Sequence, residues 1–244
     1  MLNLNDTAIA DVNVCEILNN VPQKKWEDDS CMQVVGTTTK QLFIRHLIMS
    51  TVFQTGFMMY GRPIFYLALS PSVWTKYTCC SRTITAKNVM FNILFNYKTF
   101  GTLDRKAFVP WQKRRRTMKT YKNSLLEDDN HLLFVVKIEP KRNLFSLFNG
   151  KKDLIHFWHF VRHHLYKPSQ RVIPALEKII PGCGIRLIEK NYTIYSEFGR
   201  LSHIQLYDLY TQFKSWPEFN DSTFLLSATE VKRTYELYGD EEYE

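Results

Sequence analysis

TKQLFIRHLIMSTVFQTGFMMYGRPIFYLAL, residues 39–69, contains the most apolar segment of the chain and decides what the sequence predicts for the fold. The apolar residues from Thr39 to Tyr60 favour one long buried helix, which Gly61 ends. The run Ile64–Leu69 is short and continuously apolar, which is typical of a strand. Its most apolar part, Leu47–Met59, is interrupted by polar side chains and is too short to cross a bilayer, so it predicts a core helix.

Helical spacing of apolar residues recurs along the rest of the chain. It predicts further helices over residues 6–19, 85–101, 110–126, 153–166, 169–180, 206–213 and 227–239. Ser169 is the predicted N-cap of the helix 169–180, and Ser227 with Glu230 forms a predicted capping box in the last helix. Strands are predicted over residues 132–138 and in a small hairpin that joins residues 185–188 to residues 192–198. We therefore expect a mainly α fold, a compact multi-helix domain with a minor β component. One domain covers residues 1–244, in which residues 1–37 form an N-terminal helical arm and a polar linker.

The composition favours bulky contacts and anionic partners. Aromatic residues make up 14% of the chain, and the formal net charge is +8. Large aromatic side chains bury much area in a core or across an interface. A basic balance permits nucleic acid, anionic membranes or acidic proteins as partners. The N-terminus lacks the positive start and apolar stretch of a signal peptide, which predicts a chain that stays in the cytosol or nucleus.

The densest positive charge forms one short run on the predicted helix 110–126. Three interpretations stay open for it: a solvated helix face, a nuclear-import signal, and a phosphate-binding surface on which Trp111 and Tyr121 stack with bases. The run consists of Lys113, Arg114, Arg115, Arg116, Lys119 and Lys122.

The cysteines and histidines suggest no metal site and no cofactor. The cysteines have no C-x-x-C spacing, so they are either idle thiols or crosslinks that form between molecules once reducing power is lost. They are Cys15, Cys31, Cys79, Cys80 and Cys183. His156, His159 and His163 share one helix face, which we expect to be exposed, and too few other ligands lie near them for a metal site.

No motif in the sequence predicts catalysis. The chain has no G-x-S-x-G elbow, no P-loop and no G-x-G-x-x-G fingerprint. We therefore expect a protein without enzymatic activity.

The stretch FWHFVRHHLYKP, residues 157–168, resembles a segment near the C-terminus of baculovirus polyhedrins, the matrix proteins of viral occlusion bodies. The matched positions are Phe157, Phe160, Val161, Tyr166, Lys167 and Pro168. Polyhedrins are built around β-sheet, so the resemblance implies a more distant occlusion protein, such as that of a nudivirus, and its fold is not carried over.

The resemblance implies a non-enzymatic structural protein that self-assembles into a dense protein crystal and encases virions. Its partners would then be further copies of itself, with virions as cargo, and its location the host nucleus and finally the occlusion body. The alternative is a basic viral nucleocapsid-like or matrix-like protein that binds nucleic acid through the run Lys113–Lys122.

Overall fold

A mixed four-stranded sheet organises the chain in the computed structural model, which describes residue 18 and residues 21–30, 32–78, 84–107 and 131–238. The strands are β1 (Met32–Thr38), β2 (Pro63–Leu69), β3 (Phe95–Asp104) and β4 (Leu132–Pro140). Their order across the sheet is β1-β2-β4-β3. β1 and β2 run parallel, whereas β4 runs antiparallel to both of its neighbours.

Helices precede, follow and connect these strands. They are α1 (Leu42–Phe53), α2 (Pro71–Thr78), α3 (Ala86–Leu94), α4 (Leu144–Leu147), α5 (Lys151–Leu165), α6 (Val172–Glu177), α7 (Gly184–Glu189), α8 (His203–Ser215) and α9 (Thr223–Tyr238). Short 3-10 helices cover Gly56–Tyr60, Arg105–Ala107, Phe198–Arg200 and Pro217–Asp221. None of the helices in the described part of the chain combines the length and the hydropathy that a bilayer span requires.

The core lies where β2, α1, α3 and α5 meet. In β2, Phe65 and Leu69 are fully buried, because this strand is paired on both edges and covered by helices. α1, α3 and α5 contact one another and bury Leu47, Val89 and Phe157 in the same cluster. This packing fixes the three helices to one another.

The prediction of a mainly α fold with a minor β component is wrong. β1 lies in the segment predicted as a polar linker, and β3 lies where the predicted helix 85–101 should have ended. The side chains of β1 are only half-buried or exposed, so its sequence lacks the apolar run that identifies a buried strand. β3 is exposed except at Phe95. Its ladder with β4 runs from Phe95↔Pro140 to Asp104↔Leu132, so its partners lie 28 to 45 positions away, where short-range periodicity cannot detect them.

Four further predictions about single elements were wrong. The helix predicted to reach Tyr60 stops at Gln54, which adopts a left-handed backbone with φ of 57°. The predicted hairpin 185–198 contains instead the helix α7 and a loop. Ser169 does not cap α6, since α6 begins after Arg171 with no side-chain cap. Ser227 lies inside α9, where its hydroxyl donates to the Phe224 carbonyl, and therefore does not cap that helix.

Several elements were predicted correctly. β2 and β4 cover the two predicted strands, and α5 and α8 occupy the predicted helical stretches. The helix predicted to begin at Thr85 is present as α3, and the Thr85 hydroxyl oxygen caps it by accepting the backbone N–H of Asn88. The predicted helix 6–19 lies outside the described residues.

The segment 21–30 is attached to the sheet by a set of contacts that we call the clasp. The buried Arg62 guanidinium donates Nε to the Trp26 carbonyl at 2.9 Å and Nη2 to the Asp28 carbonyl at 3.0 Å. It also forms an ion pair with Glu139 at 2.8 Å. The indole Nε1 of Trp26 donates to the Lys141 carbonyl at 3.0 Å. This part of the predicted linker is thus packed against the domain.

Candidate functional site

A crevice lies at the carboxyl ends of the parallel strands β1 and β2. The register runs from Met32↔Pro63 to Thr38↔Leu69, so both strands end at the same edge of the sheet. In open α/β sheets, ligands bind outside the carboxyl ends of the strands, because the connecting loops diverge there and leave a gap. The crevice has a volume of about 540 Å³ and is lined by Thr39, Lys40, Gln41, Leu42, Arg45, Ser72, Val73, Lys76 and Lys87.

The crevice is strongly cationic. Four of its lining side chains are basic, and none of the described lining residues is acidic: the cations are Lys40, Arg45, Lys76 and Lys87. Partial burial, together with the nearby charges of Lys76 and Arg45, lowers the pKa of Lys87 below its usual value. Lys76 Nζ donates to Gln41 Oε1 at 2.7 Å, which is a neutral acceptor. The crevice therefore has the electrostatics of an anion-binding surface.

The local structure that presents Lys87 is well defined. Thr85 caps α3, which places Lys87 in the first turn of the helix at the edge of the crevice. The side-chain amides of Asn88 and Asn92 both donate to the Tyr77 carbonyl, at 2.8 and 3.0 Å, and join α3 to the end of α2. A basic residue near a helix N-terminus adds to the positive end of the helix dipole, so the potential in the crevice increases.

An apolar recess adjoins the crevice at the junction of α1, α3 and α5. Arg45 and Lys87 border both spaces. The guanidinium of Arg162 lies over the ring of Trp158, with Cζ 5.4 Å from the ring centroid. The recess has a volume of about 120 Å³ and is lined by Arg45, Ile48, Met49, Ala86, Lys87, Met90, Trp158 and Arg162. Its walls are apolar and its rim is cationic.

Two of the three histidines that the sequence predicted on an exposed face of α5 are buried. His156 and His159 are each 7% exposed, whereas His163 is exposed as predicted. His159 Nε2 lies 2.9 Å from the hydroxyl of Ser227, and burial lowers its pKa to about 4. The neighbouring His164 is fully buried and stacks on Phe198 with ring centroids 4.3 Å apart. These rings are packing groups: no three His, Cys, Asp or Glu side chains converge on a metal-sized site within the described residues.

His164 is an unusual member of this group. Neither of its ring nitrogens has a hydrogen-bond partner among the described residues. Burial first, and then the charges of His163 and His159, lower its pKa to about 3. His164 is therefore neutral in the folded protein, which matters for the dependence of stability on pH.

Of the other predicted site residues, Cys183 is the one that the described part of the chain includes. Cys183 is buried, and its pKa is raised to about 11, mainly by burial and then by the Glu177 carboxylate, so it is a poor candidate for a crosslink between molecules. The remaining cysteines (Cys15, Cys31, Cys79 and Cys80) and the basic run 113–122 lie outside the described residues.

Sequence reasoning missed every residue of the crevice. Lys40, Lys76 and Lys87 are isolated cations in the sequence, and only the fold brings them together. The useful signal would have been polar residues that directly follow two strands, but β1 was interpreted as a linker. Without β1 there is no parallel pair and hence no shared carboxyl edge.

Comparisons with known proteins relate the chain to methyltransferases. No protein-family model matches it. It is similar to dimethyladenosine transferase 2, mitochondrial, of Drosophila melanogaster, with 32% identity over 269 residues that include 93% of this chain. The chain spans 59% of that relative's length.

Two solved structures share its architecture. The 23S rRNA methyltransferase ErmE matches with a TM-score of 0.50 and 12% identity, covering 82% of this chain and 70% of that one. A dimethyladenosine transferase from Plasmodium falciparum matches with a TM-score of 0.50 and 10% identity, covering 75% and 67% respectively. The fold is therefore an α/β Rossmann-like methyltransferase fold with a mixed four-stranded sheet.

These similarities overturn the occlusion-body interpretation. The stretch 157–168 belongs mainly to α5, and its aromatic residues Phe157 and Phe160 are fully buried in the core. An aromatic, amphipathic pattern of this kind is common to many core helices, so it does not distinguish one family from another. A similarity that covers 93% of this chain is stronger evidence than a resemblance over twelve residues.

The expectations that depended on that interpretation are wrong as well. They were a non-enzymatic protein, a self-assembled lattice with virions as cargo, a nuclear and occlusion-body location, and the nucleocapsid alternative. The similar protein is named as a transferase and as mitochondrial.

Proposed function

We propose that the chain functions in the methylation of adenosine in ribosomal RNA, and that the cationic crevice binds the phosphate backbone of that RNA. One observation carries the proposal: a crevice with four basic side chains lies at the carboxyl edge of a methyltransferase-type sheet. The name of the similar Drosophila protein supports adenosine as the acceptor and mitochondria as the location. The name of the similar ErmE structure supports ribosomal RNA as the substrate.

The crevice suits a polyanion chemically. Lysine ammonium groups act as compact charges against phosphate oxygens, and arginine adds a planar fork of donors. None of the ion pairs in the described part of the chain involves Lys40, Lys76 or Lys87. Bound phosphates would offset the repulsion from Lys76 and Arg45, which adds to the effect of burial in lowering the pKa of Lys87.

Methylation also needs a methyl donor, which in Rossmann-like methyltransferases is S-adenosylmethionine. The described lining of the crevice does not fit this donor. Its sulfonium is a cation and would face four like charges, and the described lining offers no carboxylate for the donor's amino group or ribose hydroxyls. We therefore assign the crevice to the RNA and derive no step through the donor.

The binding half of the proposal is tested by salt dependence. Fluorescence anisotropy measures the affinity for a single-stranded ribosomal RNA fragment across a range of salt concentrations. Lys76→Gln and Lys87→Gln should each lower the slope of log affinity against log salt by about 0.7, because each removes one phosphate contact. Lys190→Gln removes an exposed lysine outside the crevice and should leave the slope unchanged.

Equal slopes in all three variants would remove the crevice from the binding site.

The enzymatic half is tested separately, by incubating the chain with mitochondrial ribosomal RNA and methyl-labelled S-adenosylmethionine. Digestion of the RNA to nucleosides should place the label on adenosine. Label that is absent although the RNA binds would contradict methylation and leave binding alone.

A further inference from the structure

A second basic groove lies at the C-terminal end of α5, outside the crevice. It has a volume of about 490 Å³ and is lined by His163, Tyr166, Lys167, Ser169, Gln170 and Lys178. We call this surface the α5 groove. None of its described lining residues is acidic, and no ion pair in the described part of the chain uses Lys167 or Lys178. Both lysines are exposed, so the α5 groove presents its charge to an anion from solution.

Tyr166 gives the α5 groove an aromatic surface. Its side chain is 93% exposed, so one face of the ring is open to a ligand. Proteins bind single-stranded nucleic acid with exposed aromatic rings beside basic side chains, because a base stacks on the ring while the cations contact the phosphates. Ser169 and Gln170 add neutral groups of the kind that bind phosphate and sugar oxygens. The chemistry of the α5 groove therefore fits a single strand of RNA.

The loop that follows Tyr166 is held in place by a second loop. The carbonyls of Pro168 and Gln170 accept the backbone N–H groups of Gly199 and Phe198, at 2.8 and 3.0 Å. A Cβ atom at position 199 would lie 2.6 Å from the Cβ of Pro168, so this close approach requires glycine. A loop that is already ordered loses less conformational entropy when a ligand binds.

The α5 groove continues the basic surface of the crevice along one side of α5. Arg162 borders the apolar recess, which shares Arg45 and Lys87 with the crevice. Tyr166 follows Arg162 by four residues and keeps a right-handed helical backbone, so the two side chains lie on the same side of the helix. They are about one turn apart, which is about 5.4 Å along the helix axis. A strand that leaves the crevice past Arg162 therefore reaches the α5 groove.

We propose that the α5 groove is a second contact for the RNA whose backbone lies in the crevice, and that it holds the single-stranded segment next to the one in the crevice. Tyr166 stacks on one base of this flanking segment, and Lys167 and Lys178 contact its phosphates. The inference rests on the proposed RNA binding and deepens it. It makes the affinity depend on the length of the single strand, because only an RNA that spans both surfaces contacts all of these cations.

The test measures the affinity of two oligouridylate RNAs by fluorescence anisotropy across a range of salt concentrations. The short RNA has about four nucleotides and the long one about twelve, within the range of site sizes of single-strand-binding domains. The short RNA should occupy the crevice, which has four cations where the α5 groove has two lysines. The unmodified protein should bind the long RNA more tightly and with a steeper salt slope.

Tyr166→Ala removes the ring at an exposed position, so the fold should stay intact. This variant should bind the long RNA about fivefold more weakly or worse, which is the lower end of what one stacked base contributes, with no change in the salt slope. Tyr166→Phe keeps the ring and should bind as the unmodified protein does. Tyr195→Ala is the matched control: it removes a ring that is 70% exposed and outside the α5 groove, and it should leave the affinity unchanged.

Lys167→Gln and Lys178→Gln test the phosphate contacts. Each should lower the salt slope of the long RNA by about 0.7 and leave that of the short RNA unchanged. If Tyr166→Ala and both lysine variants bind the long RNA normally while Lys87→Gln lowers its slope, the inference is wrong and the crevice still stands. Equal effects on the short and the long RNA would also contradict it, because the α5 groove would then be a separate site. If neither RNA binds at low salt, the proposed function itself fails.

Discussion

The crevice and the clasp place cations in opposite ways. In the clasp, Arg62 is only 5% exposed and satisfies its guanidinium with Glu139 and with backbone carbonyls on two segments. In the crevice, Lys76 and Lys87 lie near each other without an acidic residue in the described lining. A buried charge destabilises the fold unless it has such partners. A solvated charge keeps most of its hydration free energy, even beside like charges, and stays available for a ligand. The clasp thus serves stability, and the crevice serves binding.

The largest effect is expected where the clasp is broken. Arg62→Leu leaves the Trp26 and Asp28 carbonyls without this donor and leaves Lys137 as the remaining ion-pair partner of Glu139, so the free energy of unfolding should fall by about 3–4 kcal/mol. Urea denaturation measures this change. Arg142→Leu is the matched control: its pair with Asp29 is 3.9 Å long, its hydrogen bond to the Glu27 carbonyl is exposed, and we expect a loss of less than about 1 kcal/mol. Equal losses would mean that Arg62 is not the anchor of the clasp.

A second paired group lies between α5 and α8. The buried Tyr210 hydroxyl donates to Asp153 Oδ1 at 2.5 Å, while Lys214 Nζ lies 2.7 Å from Oδ2. Tyr210→Phe should lower the free energy of unfolding by about 1.5–3 kcal/mol, because the lost acceptor is charged. Tyr207→Phe removes a bond to the neutral Leu147 carbonyl and should cost about 0.5–1.5 kcal/mol. Thermal and urea unfolding of both variants test this order, and its reversal would contradict the assigned role of Asp153.

Buried groups without partners should make stability depend on pH. His164 has a folded pKa of about 3, below the usual value of 6.5. Between these values the unfolded chain binds a proton that the folded chain does not, so stability is present above pH 6.5 and is lost as the pH falls. The loss is up to about 1.4 kcal/mol per pH unit for this one group.

His164→Phe keeps a ring stacked on Phe198 and removes the titration. Its free energy of unfolding should therefore fall less between pH 7 and pH 5 than that of the unmodified protein. His131→Phe, at an exposed position, should leave the pH dependence as it is. An unchanged pH dependence in His164→Phe would show that the ring is protonated or solvated in the folded state.

The smallest change in the free energy of unfolding is expected in the crevice, and there it is a gain in stability. Lys87→Glu places an acidic residue in the first turn of α3 and ends the repulsion among the lysines, so the protein should become more stable by about 0.3–1 kcal/mol at low salt. The same variant should lose most of its affinity for RNA. Urea denaturation at low and high salt separates the electrostatic gain from other effects. A loss of stability would mean that Lys87 has a structural partner, and the contrast with the clasp would disappear.

The sequence predicted the elements whose apolar pattern is local. β2 and α5 are buried along most of their length, β4 buries Leu133, Val136 and Ile138 on one apolar run, and Thr85 caps α3 through the nearby Asn88. β1 and β3 lack such a pattern, because their sheet partners rather than their own side chains stabilise them.

The candidate site could not be predicted for the same reason. Its cations come from the loop after β1, from α2 and from α3, and they approach one another only when β1 pairs in parallel with β2. The basic run 113–122 is the densest charge in the sequence and lies outside the described residues, so its role stays a prediction. A site that is assembled from the ends of several loops leaves no such run in the sequence.

The long range of the clasp has a consequence for the order of folding events. Trp26 and Lys141 are 115 positions apart in the chain, so their contact closes a very long loop. Such contacts carry a high entropic cost and form after local ones, which places the clasp on the native side of the rate-limiting step. Weakening it should then accelerate unfolding and hardly alter the refolding rate. The clasp would then determine the lifetime of the native state and not the rate at which that state forms.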